Sequence, residues 1–266
     1  MNLKRYSSEL IQEGYFVVKN GFSNGDIAEM RDSLDSIVQG RVVLDGRRFQ
    51  ADTETGLYED VDKIELGYRG PQSQYRKISD LEYDQIFLSK LKSAWIKSVL
   101  EHFIGTETSI MRVTMMNKPI GGGTALPWHQ DVARHWPTTV QPELVIWFPL
   151  DDTNEQSGSL QIIPRSHSHG MIAEGHMLPS ELENIYASDN QIKTIVLQPG
   201  DVLFFNPNLL HRSGINKSDK QRRAVNVVLL PGVVLHSRKN KNYPVLFGPN
   251  ELMPKEVAKL TSISNL

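Results

Sequence analysis

The residues best suited to metal chemistry stand in two short segments of the second half of the chain. Pro127-Trp128-His129-Gln130-Asp131 sets an imidazole and a carboxylate two positions apart, and His211 follows the apolar run Val202-Leu203-Phe204-Phe205. Two histidines and one carboxylate from separate strands form the facial triad of non-haem Fe(II) oxygenases, which leaves metal positions open for other ligands. The pair of His129 and Asp131 taken alone is equally consistent with a surface salt link, so the two segments carry weight only together.

The next predicted strand after His211 begins with an arginine, which could bind an anion. Arg222 stands eleven residues after His211, at the start of the apolar run 224–230. A guanidinium on a barrel strand can hold a dicarboxylate through two parallel hydrogen bonds. The Ser213 hydroxyl could add a donor to the same carboxylate. These residues predict an anion pocket beside the metal site.

Arg222 and Arg223 are neighbours, and successive strand residues point to opposite faces, so only one of them can look into the barrel. The face of Arg222 also carries small Ala224 and polar Asn226, which suits the wall of a ligand cavity. The face of Arg223 is apolar and suits packing against a helix, because it carries Val225, Val227 and Leu229. We therefore predict that Arg222 is the arginine of the pocket.

The composition narrows the class of protein. The 266 residues include 29 Lys+Arg and 31 Asp+Glu, a net charge of −2, so a basic nucleic-acid-binding footprint is absent. The chain has no cysteine, which excludes disulfides, thiolate metal sites and iron–sulfur clusters and leaves His and oxygen ligands for a metal. No apolar run reaches the ~18–20 residues that span a bilayer, and the N-terminus lacks the apolar core of a signal peptide. We expect a cytoplasmic protein without a membrane partner.

The elements that must position these residues are mostly short strands. From residue 109 onward, apolar runs alternate with turns rich in Gly, Pro and Asp. Many short strands without helices between them are typical of an antiparallel sandwich or jelly roll. We predict strands near 109–117, 143–149, 159–163, 192–197, 201–206 and 223–230, with a long loop over 166–190.

The N-terminal part is predicted to buttress this β core. Its first forty residues predict a strand at 15–18 and then a helix, and an apolar stripe predicts a second helix over about 85–104. The polar segment 44–80 has no clear periodicity and is typical of a functional lid or a solvated excursion. We predict one domain over 1–266, with the core at about 105–232 and the helical buttress and lid in 1–104.

The sequence resembles the phytanoyl-CoA dioxygenase family, a branch of the Fe(II)/2-oxoglutarate-dependent oxygenases. The resemblance spans about 10–230 and rests on four blocks. These are Met116-Asn117-Lys118-Pro119, the His129 segment, Ser157-Gly158-Ser159-Leu160-Gln161-Ile162-Ile163-Pro164-Arg165-Ser166-His167, and 211–224. The family often has Gly where Arg165 stands, a departure that we interpret as structural.

The resemblance implies a double-stranded β-helix and a set of site residues. It implies that His129, Asp131 and His211 bind iron, and that Arg222 and Ser213 grip the distal carboxylate of 2-oxoglutarate. It further implies cofactor-pocket positions at Trp147, Asn117 and Thr114. The reaction implied is hydroxylation of a small molecule by O₂, with release of succinate and CO₂.

Several residues and two other functions remain open at this stage. Arg134 and Trp136 follow Asp131 into a loop and are candidate substrate contacts. Other histidines have no partner at ligand spacing and are interpreted as ordinary loop residues: His135, His169, His176 and His236. The alternative functions are a jelly roll that binds without turnover and a cupin-type metal enzyme that needs neither Arg222 nor 2-oxoglutarate.

Overall fold

The computed structural model describes residues 1–42, 47–63, 66–188 and 191–257. Antiparallel strands dominate it, as the turn-rich sequence predicts. In chain order they are β1 (Tyr15–Val18), β2 (Arg48–Ala51), β3 (Tyr75–Ser79), β4 (Thr108–Lys118), β5 (Leu126–His129), β6 (Leu144–Pro149), β7 (Leu160–Ile162), β8 (Lys193–Thr194), β9 (Val202–Phe205), β10 (His211–Ser213), β11 (Arg222–Pro231), β12 (Leu235–His236), β13 (Lys241–Asn242) and β14 (Val245–Phe247).

The strands form two sheets that face each other. The larger sheet has the order β1-β9-β6-β11-β4-β3-β2, with β14 also paired to β4. The smaller sheet has the order β5-β10-β7-β8, and β12 and β13 form a separate hairpin. Two antiparallel sheets stacked over a shared core are the layers of a jelly roll. The predicted strands are therefore confirmed, except that only Lys193–Thr194 of the predicted 192–197 forms a strand. β5 and β10 are additions that carry site residues.

The strands of the large sheet are buried on both faces and sort their side chains by alternation. On β11, Val225, Val227 and Leu229 join the core beneath the helices, whereas Ala224 and Val228 join the core between the sheets. This confirms the predicted facing of the strand. A register shift of one residue would exchange the two faces, so the position of every side chain in the cavity depends on this pairing.

Helices cover the outer face of the large sheet. They are α1 (Leu3–Glu13), α2 (Asn24–Val38), α3 (Gln85–Leu91) and α4 (Ala94–Phe103). The short helix α5 (Ser180–Tyr186) packs elsewhere, beside the small sheet, on a cluster that includes Trp128 and Ile163. The predicted stripe on α2 is buried, and the Ser23 side chain caps its N-terminus. The prediction of one helix over 85–104 is wrong, because Lys92 ends α3 and Ser93 begins α4. The prediction also lacked α1, a helix in which no residue is fully buried.

The segment 44–80 adds two strands to the large sheet. β2 pairs with β3, and β3 pairs with β4, so the segment continues the sheet next to the cavity. Residues 44–46 and 64–65 of this predicted lid lie outside the described residues. Movement of the lid stays a prediction. Within the residues that the structure describes, no helix is long and apolar enough to cross a membrane.

A buried carboxyl beneath β4 makes the stability of the fold depend on pH. Glu82 is 3% exposed and accepts a hydrogen bond from the Val113 amide at 3.2 Å. Burial and the nearby Asp80 carboxylate raise the pKa of Glu82 to about 8, from an ordinary value of 4.5. The stability that comes from its neutral form is fully present below pH about 4.5 and is lost as pH rises through about 8.

Replacing Glu82 with Gln is therefore expected to stabilise the protein at high pH. The amide still accepts from Val113 but cannot ionise, so the variant should gain more than about 1 kcal/mol over wild type at pH 8. Near pH 4.5 the two proteins should unfold alike. Urea unfolding at both pH values measures this, with exposed Glu143→Gln as the matched control. An equal difference at both pH values would contradict the assignment.

Candidate active site

A cavity of about 260 Å³ lies between the two sheets. Its wall combines residues from β4, β6 and β11 of the large sheet with residues from β5, β7 and β10 of the small sheet, and the 44–80 segment closes one side. The residues that line it are Gln50, Tyr58, Val61, Arg76, Lys77, Arg112, Thr114, Met116, Lys118, Leu126, His129, Asp131, Trp147, Leu160, His176, Phe205, His211, Ser213, Arg222 and Asn226.

Two histidines meet in the cavity because their strands pair. His129 ends β5 and His211 begins β10, and the two residues are register partners in the small sheet. Their ring centroids are 3.9 Å apart. The Nδ1 atom of His129 lies 2.8 Å from the Pro127 carbonyl oxygen, and that of His211 lies 2.9 Å from the Leu209 carbonyl oxygen. Each carbonyl accepts a hydrogen bond from the protonated Nδ1, which leaves the lone pair of each ring on Nε2.

Asp131 brings the carboxylate to the same place. It is 1% exposed, and its Oδ2 lies 3.7 Å from Nε2 of His211. The Arg112 guanidinium pairs with Oδ1, and the Asn226 side-chain amide donates to Oδ2 at 3.3 Å. Burial alone would raise the pKa of Asp131, but Arg112 and the surrounding histidines outweigh it and hold that pKa well below its ordinary value. The carboxylate is therefore ionised and available to a cation.

His176 is a fourth member of this cluster, so its interpretation as an ordinary loop histidine is wrong. Its ligand atom lies within 4.8 Å of those of His129 and Asp131. The ring packs against His129 at 4.9 Å and Trp136 at 5.3 Å between centroids. Burial lowers the pKa of His176 to about 4, so the ring is neutral at pH 7. Its loop reaches the site because Met177 bridges to His129, a contact that sequence spacing does not reveal.

His129 and His211 share a feature of metal-binding histidines that His176 lacks. Histidines that bind metals almost always donate their second ring nitrogen to a carbonyl or carboxylate, which fixes the tautomer and the ring. His129 and His211 have such a carbonyl, whereas Nδ1 of His176 is buried without a hydrogen-bond partner among the described residues. The donor set of two anchored imidazoles and one carboxylate fits a divalent first-row metal.

The anion pocket lies at another part of the same cavity. Arg222 is 2% exposed, and its Nη2 donates to the Gly158 carbonyl at 2.8 Å. Its Nε is buried without a partner among the described residues, which leaves a donor for a ligand. Burial lowers the pKa of Arg222 to about 10, so it stays charged at pH 7. Ser213, Trp147 and Thr114 line the same cavity.

Three of the sequence-predicted residues lie elsewhere. Asn117 was expected to line the co-substrate pocket, but it points to the opposite face of β4, where its amide donates to the Ser73 carbonyl at 2.9 Å. Alternation explains this correction, because Thr114 and Lys118 face the cavity from even positions of the strand. Outside the cavity wall, the Arg134 guanidinium is 73% exposed and pairs with Glu174. Trp136 touches the site indirectly, since Arg112 stacks over its ring at 5.0 Å.

Gly158 supports Arg222 and has no room for a side chain. Its φ is +66°, and a Cβ would stand 2.6 Å from the Gly214 carbonyl oxygen and 2.8 Å from that of Ile215. Gly158→Ala is expected to shift this backbone, weaken 2-oxoglutarate binding several-fold and destabilise the fold by about 1–3 kcal/mol. Gly121→Ala is the control, because Gly121 has φ +64° but open space around it. Calorimetric titration and thermal unfolding of both variants measure the difference; equal effects would refute the steric argument.

The chain matches one protein family over most of its length. The sequence model described as Phytanoyl-CoA dioxygenase (PhyH) matches residues 11–224. The peroxisomal phytanoyl-CoA dioxygenase of Bos taurus is 25% identical over 225 residues, covering 80% of this chain and 64% of that protein. The chain thus spans less than two thirds of that relative. The probable alpha-ketoglutarate-dependent hypophosphite dioxygenase of Stutzerimonas stutzeri is 24% identical, covering 81% of this chain and 74% of that protein.

Solved structures share the fold. EctD from S. alaskensis, crystallised with 2-oxoglutarate and 5-hydroxyectoine, is similar with a TM-score of 0.67 at 20% identity, over 93% of this chain and 80% of that chain. The alpha-ketoglutarate-dependent carbocyclase SnoK from nogalamycin biosynthesis is similar with a TM-score of 0.66 at 15% identity, over 88% and 85%. These likenesses agree with the jelly roll, and with the family match over 11–224 they lead to one conclusion: the chain belongs to the phytanoyl-CoA dioxygenase family.

Proposed function

We propose that the protein is an Fe(II)- and 2-oxoglutarate-dependent dioxygenase that hydroxylates a small molecule with release of succinate and CO₂. One observation carries the proposal. A single cavity wall holds two carbonyl-anchored histidines, an ionised buried carboxylate and a buried arginine with a free donor. Family membership supports the same activity.

Each site residue has a proposed task. His129, Asp131 and His211 hold the iron, and Arg222 with Ser213 holds the distal carboxylate of 2-oxoglutarate. Trp147 and Thr114 form the wall beside the co-substrate. When bound, ferrous iron supplies the redox chemistry that couples O₂ and decarboxylation of 2-oxoglutarate to oxidation of the substrate.

The protein contributes orientation, charge and exclusion of water. The Pro127 and Leu209 carbonyls keep both imidazoles in one tautomer, so the lone pairs need no rearrangement before metal binding. Arg112 and Asn226 hold the Asp131 carboxylate in place. Burial of Arg222 strengthens its attraction for a carboxylate, because the surroundings screen charge less than water does.

The substrate differs among the relatives, so their names do not choose one for this chain. The bovine relative is named for phytanoyl-CoA, and the Stutzerimonas relative is named for hypophosphite. We extend to this chain only what these enzymes share, a small-molecule substrate. We also propose a single domain over 1–266 with its core at 105–232. The cytoplasmic address stays a prediction.

Two experiments test the proposed function against its alternatives. Purified protein with Fe(II), ascorbate and 2-oxoglutarate is expected to release succinate, and a metabolite screen should find compounds that accelerate it. Protein loaded with redox-silent Zn(II) is expected to bind 2-oxoglutarate tightly. Zn(II)-loaded protein that fails to bind 2-oxoglutarate would favour the cupin-type alternative, and binding without succinate in any condition would favour a jelly roll that binds without turnover.

A further inference from the structure

The wall of the cavity carries more positive charge than the proposed co-factors can balance. Among the described residues that line it are five cationic side chains and one carboxylate, that of Asp131. The cations are Arg76, Lys77, Arg112, Lys118 and Arg222. Arg76, Lys118 and Arg222 are buried, and Lys77 and Arg112 are half-buried. Cations withdrawn from water are expensive unless opposite charge or hydrogen bonds compensate them, so such a cluster indicates an anionic ligand.

The five cations fall into two groups according to their position in the cavity and the charged side chains near them. Lys118 is the register partner of Arg222, so both lie at the end of the cavity that would hold the distal carboxylate of 2-oxoglutarate. Lys77 is the register partner of Met116, one cavity-facing position nearer the metal end, where Arg112 and Asp131 act on it. Arg76 precedes Lys77 on β3 and lines the same wall, and its charge contributes to the lowered pKa of both lysines.

The negative charge of the iron site and 2-oxoglutarate needs only the first group, Lys118 and Arg222. Ferrous iron, ionised Asp131 and dianionic 2-oxoglutarate together carry one negative charge, which the pair of Lys118 and Arg222 more than balances. Arg76, Lys77 and Arg112 then remain, and Arg112 already shares Asp131 with the metal. Within the second group, Arg112 pairs with Asp131 and Arg76 is attracted by the nearby Asp52 carboxylate, so Lys77 is the cation for which the metal and the co-substrate leave no counter-charge.

The second group is also arranged in advance for a ligand. Gln50 accepts a hydrogen bond from Nη1 of Arg76, and the Tyr58 ring lies 5.7 Å from its guanidinium carbon. Trp136 supports Arg112 in the same way, at 5.0 Å. The Lys77 ammonium group has no hydrogen bond or ion pair with any described residue, and burial together with the neighbouring cations lowers its pKa to about 7. An anion beside Lys77 would remove this repulsion.

Resting on the proposed function, we propose that the substrate carries an oxyanion, a carboxylate or a phosphate-type group, which Arg76, Lys77 and Arg112 bind next to the metal. Two planar guanidinium groups and one ammonium suit the two or three oxygens of such a group. The cavity volume of about 260 Å³ lies below the roughly 300–1,000 Å³ of drug-sized sites. Since 2-oxoglutarate occupies part of it, the anion-bearing end of the substrate is small.

A binding experiment tests this on protein loaded with Zn(II) and saturating 2-oxoglutarate. Inorganic phosphate, acetate and neutral acetamide are titrated by calorimetry. At least one of the two anions is expected to bind, and the comparison of phosphate with acetate tells which oxyanion is preferred. Lys77→Met and Arg76→Met are expected to weaken that anion about tenfold or more. Lys77→Arg should largely restore binding, and exposed Lys4→Met is the control that should change nothing.

A turnover experiment gives the same test a second readout. Acids from the succinate-release screen are compared with their uncharged amides or esters, and only the charged member of each pair is expected to accelerate succinate release. The inference is overturned if neither anion binds at concentrations up to about 10 mM, or if an uncharged partner reacts as fast as its acid.

The experiment also separates this inference from the proposed function. If Lys77→Met and Arg76→Met weaken 2-oxoglutarate and leave the anion unaffected, the two cations belong to the co-substrate site and the inference is wrong while the proposed function stands. If wild-type protein loaded with Zn(II) does not bind 2-oxoglutarate, the proposed function itself has failed.

Discussion

Replacing His211 with alanine is expected to weaken metal binding by more than about 100-fold, because partners beyond the ligands already contribute 10- to 100-fold. His176→Ala is expected to weaken it by less than about tenfold. Both rings are close to Asp131, but the Leu209 carbonyl anchors His211, whereas Nδ1 of His176 has no partner among the described residues. The anchored ring keeps its lone pair aimed without a loss of rotamer entropy on binding.

Calorimetric titration with Zn(II) or Co(II) measures this pair of variants, and succinate release gives a second readout. His129→Ala should behave like His211→Ala, since the two rings are register partners on β5 and β10. His102→Ala, at an exposed histidine outside the cavity wall, controls for nonspecific metal binding. If His176→Ala loses the metal and His211→Ala keeps it, the ligand set is His129, Asp131 and His176.

Arg222→Ala is expected to raise the KM for 2-oxoglutarate by roughly 30-fold or more. Removing one partner of a buried, charge-assisted contact typically costs about 2–5 kcal/mol, which gives a factor of that size. Arg222 is fully enclosed by the cavity wall, and only Gly158 and Met116 carbonyls accept its protons among the described residues. Most N–H donors of Arg222 therefore remain available to a ligand.

Arg223→Ala is the matched control for that prediction. Arg223 points to the outer face of β11, where it pairs with Asp151 at 2.9 Å and with Asp35 of α2 at 2.9 Å. Its loss should lower stability by about 1 kcal/mol and change the KM for 2-oxoglutarate little. Initial rates of succinate release against 2-oxoglutarate concentration decide between the two arginines. A larger KM effect at Arg223 would mean that the strand register is wrong by one residue.

The sequence was most informative where strand alternation applies. On β11, the polar and small residues share one face and the apolar residues share the other, so the orientation of Arg222 could be predicted. The same rule, applied to β4, would have separated Asn117 from Thr114 and would have selected Arg112 and Lys118 as cavity residues. Those two cations were missed because the period of two was not followed along that strand.

Other parts of the site have no local signal. His176 lies in a loop that sequence spacing alone cannot place, and it meets His129 only through the bridge of Met177 to β5. Lys77 and Arg76 sit in a segment whose polar composition resembles a solvated loop, and only pairing of β3 with β4 brings them to the cavity. Long-range pairing of this kind depends on the whole sheet and not on the residues of the segment.

The helical boundaries show a similar limit. The apolar stripe of 85–104 continues through two helices, so its periodicity predicted one. The break falls at Lys92 and Ser93, where Ser93 leaves the helical conformation (φ −61°, ψ 147°) without a side-chain capping hydrogen bond. α1 was missed because it packs only partly buried residues against the core.

The pairing of β5 with β10 has a consequence for how the protein acquires its metal. It joins His129 to His211 across a loop of about eighty residues, whose closure has a high entropic cost and makes folding slow. Until that loop has closed, only His129 and Asp131 of the three proposed ligands are close together in the chain. With the proposed ligands, metal capture is expected to follow chain closure, and the bound ion is expected to act as a crosslink that selectively slows unfolding of the small sheet. Removal of the metal by a chelator should consequently shorten the lifetime of the folded state without preventing refolding.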